Sequence, residues 1–423
     1  MVLRDYIKTR IQFYYFLIII TVLLYGFCMF NTKDDNLFHL HPIKLKANIY
    51  NRSFATDQCS EVLVKSNHSI MDKLTEGEWR PKEVSQAYKK SVFKTLAKLR
   101  RRSHIKPETA KNGRCGYVPN IKFTKLCDPE GPYPCCKYAK CRNESIEDCK
   151  CHNCLDARTK LHPEFYKWTP YNITLNTFSP EDLCGILHRL QISLVYSLGD
   201  SLGRGICEGA WKIMESVQTS PADIRRKEDY NSTKNDTCDQ DIFNLKGQCF
   251  FRTKMAGFEV CNTTNIYWSG LAKPEEGIPK EKAHLSEILS TSHPGNVVLV
   301  MNIGLFVQLN ESRAQAIIET MLTHVQQTYK DRKFYIFYFP PYVPGLLKWK
   351  RYVRQQKPES LKFTNTMRNY VIDNNIRMTF LNPQNLAEDA ASYDGTHYTQ
   401  GLCETMFEII MNYLNYSQSE DMY

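Results

Sequence analysis

The sequence predicts an α/β protein: a mostly parallel sheet covered by helices on both faces, preceded by a small disulfide-rich module and one N-terminal transmembrane helix. Three observations predict this organisation. Residues 13–30 form an uncharged apolar run, residues 115–154 contain eight cysteines, and apolar strands alternate with helical segments over residues 172–416. Strands that alternate with helices are typical of parallel sheets that are buried on both sides.

The N-terminal run, FYYFLIIITVLLYGFCMF, has the length of a short membrane span. No small-x-small cleavage site follows it, which favours a membrane anchor over a cleaved signal peptide. Arg4, Lys8 and Arg10 precede the run, so the positive-inside rule places residues 1–12 in the cytosol. We therefore expect a single-pass type II protein, held in the membrane by residues 13–30, whose remaining chain is luminal or extracellular.

Sequons and cysteines both indicate the secretory pathway. N-x-S/T sequons are spread over the chain beyond the anchor, at Asn51, Asn67, Asn143, Asn172, Asn231, Asn235, Asn262, Asn310 and Asn415. Fifteen cysteines also follow the anchor, besides Cys28 within it, and an oxidising compartment is their simplest location. Because their number is odd, we expect one cysteine to be free or to link two chains in an oligomer.

The formal net charge of +10 indicates which classes of partner the protein could bind. Taken alone, it fits a nucleic acid, an anionic membrane surface or an acidic glycan. A luminal protein meets no nucleic acid, so a membrane surface or an acidic glycan remains, unless the charge is merely solvated.

Residues 31–111 have the polar composition of a stem. Within them, apolar side chains recur at helical spacing, at Val84, Tyr88, Val92, Leu96 and Leu99. Lysines occupy the opposite face, and the basic stretch RRRS follows at residues 100–103. A solvated basic stem, a membrane-surface contact and a processing site all fit this pattern.

The cysteine-rich segment, residues 112–158, is too short to bury a sufficient core, so disulfides must stabilise it. Its cysteines are Cys115, Cys127, Cys135, Cys136, Cys141, Cys149, Cys151 and Cys154, and the sequence does not select one pairing. Zinc binding by the CKCHNC stretch is less favoured in an oxidising lumen. The cysteine order resembles that of hevein-type chitin-binding modules. Only Tyr138 stands in the loop where those modules stack sugars, so a structural module is favoured over a lectin.

The remaining domain, residues 172–416, has the pattern of strands alternating with helices. Strands are expected at residues 192–198, 249–260, 296–302, 333–339 and 376–382, and helices at residues 203–218, 312–330, 359–374 and 401–414. In such sheets, ligands bind at the carboxyl ends of the strands. Candidate functional residues are therefore sought at those ends.

Ser201, in the stretch GDSLGR, lies between the first of these strands and a helix. A helix N-terminus has unpaired N–H groups and a partial positive charge, which would stabilise an oxyanion formed at this serine. The neighbouring glycines allow a sharp turn and close approach of a substrate. The alternative is that Ser201 only caps the helix.

Serine needs a base, and His397 is the histidine in the most suitable position. Asp394 precedes it by three residues in SYDGTHYTQG, just before the last helix. A short turn can hold this carboxylate against the imidazole, as in a Ser-His-Asp triad. The alternative for Asp394 is an ordinary turn residue, since Asp-Gly is a common turn pair.

Asn302 and Gly304 fall at the carboxyl end of the strand predicted at residues 296–302. The Asn302 amide and a backbone N–H at Gly304 or Ser201 are the candidate donors to an oxyanion. A polar residue whose hydrogen bonds are satisfied within the loop is the alternative.

Together, Gly199-Asp200-Ser201-Leu202 and Asp394-x-x-His397 resemble the SGNH/GDSL hydrolase superfamily. GDSLGR, ending in Arg204, resembles its PC-esterase branch, which includes trichome-birefringence-like and neurexophilin/PC-esterase-domain glycan O-acetyltransferases. The resemblance implies a three-layer αβα fold, with Ser201 as nucleophile, His397 as base, Asp394 as orienting acid and Asn302 as oxyanion donor. The usual Gly-x-Asn-Asp wording is absent, and Gly257 is the nearest match to the second-block glycine.

This resemblance implies a Golgi or other secretory-pathway enzyme that adds or removes O-acetyl groups on a glycan or glycoconjugate. No tightly bound cofactor and no metal are expected, and the sequence does not identify an acetyl donor. The alternative is a non-catalytic glycan-binding or adhesion protein on an SGNH-like scaffold.

Overall fold

The computed structural model describes residues 70–102, 113–117, 123–220, 255–271 and 274–420. Within these ranges the strands are β1 Gly77–Pro81, β2 Cys135–Lys137, β3 Lys140–Arg142, β4 Leu155–Asp156, β5 Tyr166–Pro170, β6 Ile192–Gly199, β7 Gln218–Ser220, β8 Met255–Val260, β9 Thr264–Gly270, β10 Asn296–Asn302, β11 Phe334–Tyr338 and β12 Thr379–Phe380. The helices are α1 Gln86–Arg102, α2 Pro180–Arg189, α3 Ser201–Ile213, α4 Pro274–Thr291, α5 Glu311–Thr328, α6 Lys357–Asp373, α7 Gln384–Glu388 and α8 Gln400–Glu420.

The central sheet has the strand order β12-β11-β10-β6-β9-β8-β7. The first five strands in this order are parallel, and β8 and β7 extend the sheet with antiparallel pairings. The predicted mostly parallel sheet is therefore confirmed. The sequence analysis did not predict β9, α2 or α4, and the strand predicted at residues 376–382 is reduced to β12.

Helices cover both faces of the sheet. Successive side chains of each strand point to opposite faces, so one strand contributes to the core on each side. In β6, Val195 faces a core formed with α2, α3 and α8. Its neighbours Leu194 and Tyr196 face a second core formed with α4, α5 and α6. Every residue of β6 is buried, which is typical of a central parallel strand. The carboxyl end of β6 therefore opens at the middle of the sheet edge.

The cysteine-rich segment contains a small antiparallel sheet in the order β3-β2-β4. All eight of its cysteines are bridged, as Cys115–Cys136, Cys127–Cys141, Cys135–Cys149 and Cys151–Cys154. The prediction of a disulfide-stabilised module is confirmed. Among the described residues, the groups of side chains with metal-ligand spacing are cysteines of this module, and each of these cysteines is in a disulfide.

A fifth disulfide, Cys184–Cys261, joins α2 to the turn after β8. Two described cysteines, Cys207 and Cys403, are unpaired, and both are buried. This corrects the expectation of a single unpaired cysteine. Because a buried thiol does not reach a second chain, neither residue supports the expected link between chains. Cys28, Cys59, Cys238 and Cys249 lie outside the described residues.

The described part of the predicted stem is folded against the rest of the protein. Strand β1 pairs with β5, and the rings of Trp79 and Trp168 meet edge to face at 5.4 Å. The Trp168 indole N–H also donates to the Leu74 carbonyl oxygen at 2.9 Å. Residues 70–102 are therefore part of the same folded unit as the central sheet.

The membrane anchor predicted at residues 13–30 lies outside the described residues. Within the described ranges, no helix is both long enough and apolar enough to cross a bilayer.

Candidate active site

The turn from β6 into α3 is built around a glycine. Gly199 has φ +151°, and a Cβ placed on it would lie 2.0 Å from the Asn302 carbonyl oxygen. Any larger residue at this position would therefore push the end of β6 away from β10. Helix α3 then begins at Ser201, so the serine lies, partly buried, at the carboxyl edge of the sheet.

Asp200, and not Ser201, caps helix α3. One carboxylate oxygen of Asp200 accepts from the Leu202 N–H at 2.9 Å, and the other accepts from the Leu305 N–H at 3.1 Å. Burial raises the pKa of Asp200 to about 6, although both hydrogen bonds act to lower it. The capping role considered for Ser201 is therefore wrong, and the Ser201 hydroxyl is free for another partner.

The structure brings Ser201, His397 and Asp394 together. The Ser201 hydroxyl oxygen lies 2.5 Å from His397 Nε2, and His397 Nδ1 lies 2.7 Å from Asp394 Oδ2. The other Asp394 oxygen accepts from the backbone N–H groups of Thr396 and His397 at 2.8 and 2.7 Å. Burial alone would raise the pKa of Asp394, but the charge of His397 and these hydrogen bonds hold it below its usual value. An ionised Asp394 fixes the imidazole so that Nε2 can accept the Ser201 proton.

The imidazole is also held from one side by an aromatic ring. Tyr393 stacks on His397 with a ring separation of 5.7 Å and an interplanar angle of 14°. The Tyr393 N–H donates to the His397 carbonyl oxygen at 3.1 Å, which closes the turn. Gly395 within this turn has φ +81° and passes directly against the Lys348 backbone, where no Cβ fits.

Lys348, which the sequence analysis did not single out, supports the same turn from below. Its buried ammonium group donates to Thr396 Oγ1 at 2.7 Å and to Gln355 Oε1 at 2.9 Å. Burial lowers the pKa of Lys348 to about 8, against the opposing effect of the charges on Asp394 and Asp200. In sequence, Lys348 is one of several basic residues in LLKWKRYVR, and nothing local marks it as buried.

Asn302 is the last residue of β10, and Gly304 lies on the loop that follows this strand. The fully buried Asn302 amide donates from Nδ2 to the Phe339 carbonyl oxygen at 2.8 Å and accepts from the Gly203 N–H at 3.2 Å. Gly304 lies against Pro341, whose Cγ would be 2.2 Å from a Cβ at this position. Both residues thus support the loops around Ser201, and their part in an oxyanion hole stays a prediction.

The backbone N–H of Ser201 is a candidate oxyanion donor. It is the first N–H of α3, and no described residue accepts a hydrogen bond from it. The positive end of the helix dipole acts at the same place. A negative oxygen that forms on a carbonyl carbon attached to Ser201 would therefore be stabilised here.

Ser201 and His397 open into a cleft that has polar and apolar lining residues. The polar side includes Arg204 and Glu208, which form an ion pair at 3.1 Å. The apolar side includes Leu99 of α1, together with Tyr342, Tyr398 and Cys403. The lining therefore offers both polar and apolar contacts to a bound molecule.

Two carboxyl groups lie around the start of α8, a buried one on Glu164 and a partly buried one on Glu404. Glu164, which is 2% exposed, accepts from the Gly401 N–H at 2.9 Å. Burial raises the pKa of Glu164. One turn further along α8, burial and the nearby Glu164 and Glu408 charges raise the pKa of Glu404 to about 7. Glu404 is thus a protonatable side chain on the helix that follows His397, and Glu164 is one that packs against its first turn.

Raising the pH from about 5 to about 7.5 is expected to lower the stability of the wild-type protein more than it lowers the stability of the Glu404→Gln variant. The native protein keeps the Glu404 proton up to about pH 7, whereas the unfolded chain loses it near the ordinary value of 4.5. The unfolded state therefore binds fewer protons in this window, and stability falls as the pH rises through it. Glutamine removes this contribution.

Thermal unfolding midpoints measured across this pH range test the expectation. Glu287→Gln, at an exposed position on α4, is the matched control and should keep the wild-type pH dependence. Parallel curves for Glu404→Gln and the wild type would contradict the prediction.

The sequons differ in their surroundings. Asn143, Asn172 and Asn262 are exposed. Asn310 is half-buried and caps α5 by accepting from the Arg313 N–H at 2.9 Å, and the Asn415 side chain accepts from Arg189 at 2.7 Å. The sequons at Asn51, Asn67, Asn231 and Asn235 lie outside the described residues.

Comparison with models of protein families finds no match, and comparison with curated proteins finds no significant match.

Proposed function

We propose that this protein is a serine-dependent acyl-transfer enzyme, an O-acetyltransferase or O-acetylesterase that acts on glycans. The observation that carries the proposal is the continuous hydrogen-bonded chain from the Ser201 hydroxyl through both His397 nitrogens to Asp394, at 2.5 and 2.7 Å. Residues 201 and 397 are far apart in sequence, and a capping role for Ser201 is already filled by Asp200. A nucleophile, its base and its orienting acid are the parts that acyl transfer requires.

In the first half of the reaction, Ser201 Oγ attacks the carbonyl carbon of an acetyl ester while His397 Nε2 takes the hydroxyl proton. The ester C–O bond then breaks, and His397 returns this proton to the departing alkoxide. The products are a free alcohol and an acetylated Ser201. The Ser201 N–H and the N-terminus of α3 stabilise the oxyanion that forms between these two events.

In the second half, a hydroxyl group attacks the acetyl-serine carbonyl and His397 accepts its proton. Cleavage of the Ser201 ester bond then transfers that proton back to Ser201 Oγ. If the hydroxyl belongs to a sugar, the reaction is O-acetyl transfer; if it belongs to water, the reaction is ester hydrolysis. Both outcomes use the same side chains, and they differ in how well an acceptor excludes water from the cleft.

The substrate class rests on resemblance. GDSLGR and Asp394-x-x-His397 resemble the motifs of SGNH enzymes of the PC-esterase branch, which supports an SGNH-like αβα domain and O-acetylated glycans as substrates. We further propose a type II protein of the Golgi or another secretory-pathway membrane, anchored through residues 13–30. The basic residues before that run, the disulfides and the exposed sequons at Asn143, Asn172 and Asn262 support this location.

The proposal is tested with the full chain purified in detergent. We expect it to release acetate and p-nitrophenol from p-nitrophenyl acetate. If a sugar acceptor takes some of the acetyl groups, the amount of p-nitrophenol released should exceed the amount of acetate. A folded protein without acetyl-ester turnover would leave the non-catalytic glycan-binding interpretation in its place.

A further inference from the structure

Helix α1 reaches the catalytic cleft, although it precedes the central domain in sequence. Its apolar face, Val92, Leu96 and Leu99, is buried together with Tyr393 in one cluster. Tyr393 is the ring that stacks on His397. The helix is therefore separated from the imidazole by a single aromatic side chain.

Leu99 differs from the other two residues of this face because it also lines the cleft that contains Ser201 and His397. It is 5% exposed, so it is fixed by packing on one side and faces the cleft on the other. Tyr342 and Cys403 line the same cleft, and Cys403 Sγ would lie 2.9 Å from a Cβ on Gly205. The aliphatic side chains that line this cleft are Leu99 of α1 and Leu202 of α3.

We propose that Leu99 is a specificity-determining residue that restricts the acyl group accepted by Ser201 to about the length of acetyl. This inference rests on the proposed acyl-transfer function. The alkyl tail of an acyl-serine is apolar and prefers the apolar lining, whereas a sugar hydroxyl prefers the polar side with Arg204 and Glu208. A longer tail would meet Leu99, which cannot withdraw because Val92, Leu96 and Tyr393 pack around it.

The test is the ratio of turnover with p-nitrophenyl butyrate to turnover with p-nitrophenyl acetate, measured on one sample of the full chain. Leu99→Ala removes three carbon atoms, and butyrate has two more than acetate. We expect the butyrate-to-acetate ratio to rise by about tenfold or more, because one methylene in an apolar pocket already changes specificity by roughly tenfold. The ratio does not depend on how much of the sample is folded.

Leu96→Ala is the matched control, since it makes the same deletion on the same helix and in the same cluster but does not line the cleft. Its ratio should stay at the wild-type value. Leu99→Val, which removes one carbon and disturbs packing less, is tested with propionate and should raise the propionate-to-acetate ratio.

The outcomes separate this inference from the proposed function. An active wild-type protein whose ratios are unchanged in both Leu99 variants would overturn the role of Leu99 and leave the acyl-transfer function intact. A rise in Leu96→Ala equal to that in Leu99→Ala would also overturn it, because general loosening of α1 would then be the cause. Absence of acetate turnover in the wild type would instead count against the proposed function itself.

Discussion

Ser201→Ala is expected to lower turnover of an acetyl ester by about 10³-fold or more, and His397→Ala by a similar factor. The first substitution removes the attacking oxygen. The second removes the only group within hydrogen-bond distance of that oxygen in the described structure, at 2.5 Å, so the serine keeps its proton. Because the two side chains act as one unit, the double variant should be about as slow as either single variant.

The effect should appear in kcat and not in folding. Ser201 is only partly buried and does not cap α3, so its removal should leave the unfolding midpoint near the wild-type value. Ser290→Ala, at an exposed position on α4, is the matched control and should retain full turnover. If the fold losses of turnover in the two single variants multiply in the double variant, Ser201 and His397 do not work together.

Asn302→Ala is expected to lower the free energy of unfolding by about 2–6 kcal/mol. The substitution leaves the buried Gly203 N–H and the Phe339 carbonyl oxygen without the partners that they have at 3.2 and 2.8 Å. Each buried polar group that loses its partner costs about 1–3 kcal/mol, and the lost side chain also leaves a small cavity. The sequence analysis, by contrast, predicts an oxyanion donor, whose loss would lower kcat by about 10²-fold with the fold intact.

Denaturant unfolding and acetyl-ester kinetics on the same Asn302→Ala sample separate the two roles. Asn369→Ala, at an exposed position on α6, is the control for removal of an asparagine outside the site. Unchanged stability together with a large loss of kcat would assign Asn302 to the oxyanion and contradict the supporting role seen in its hydrogen bonds.

The parts of the site that were predictable have local signals. Ser201 stands between a largely apolar strand and a helix, and Asp394 and His397 share one short turn. The sequence therefore places each of them at a strand end or a helix start. The sheet was predictable because β6, β10 and β11 are largely apolar segments. β9 was not, since TNIYWSG mixes polar and apolar residues, and α4 was not, since Pro279 and Gly277 interrupt its helical pattern.

The remaining parts of the site depend on contacts between distant segments. Leu99, Glu164 and Lys348 reach the region of the triad only through tertiary packing, and their local sequences look like a basic stem or a solvated loop. The capping role of Asp200 was hidden for another reason. Asp and Ser are both good N-cap residues, and two adjacent candidates cannot be ranked by propensity alone.

The most direct measurement of the central claim is the covalent state of Ser201 during turnover. The full chain is mixed with p-nitrophenyl acetate, quenched with acid within the first turnovers, digested and analysed by mass spectrometry. The mechanism predicts one acetyl group on the peptide that contains Ser201, which disappears in Ser201→Ala and stays low in His397→Ala. Turnover at the wild-type rate with no acetyl group on Ser201, or with the acetyl group on another side chain, would contradict it.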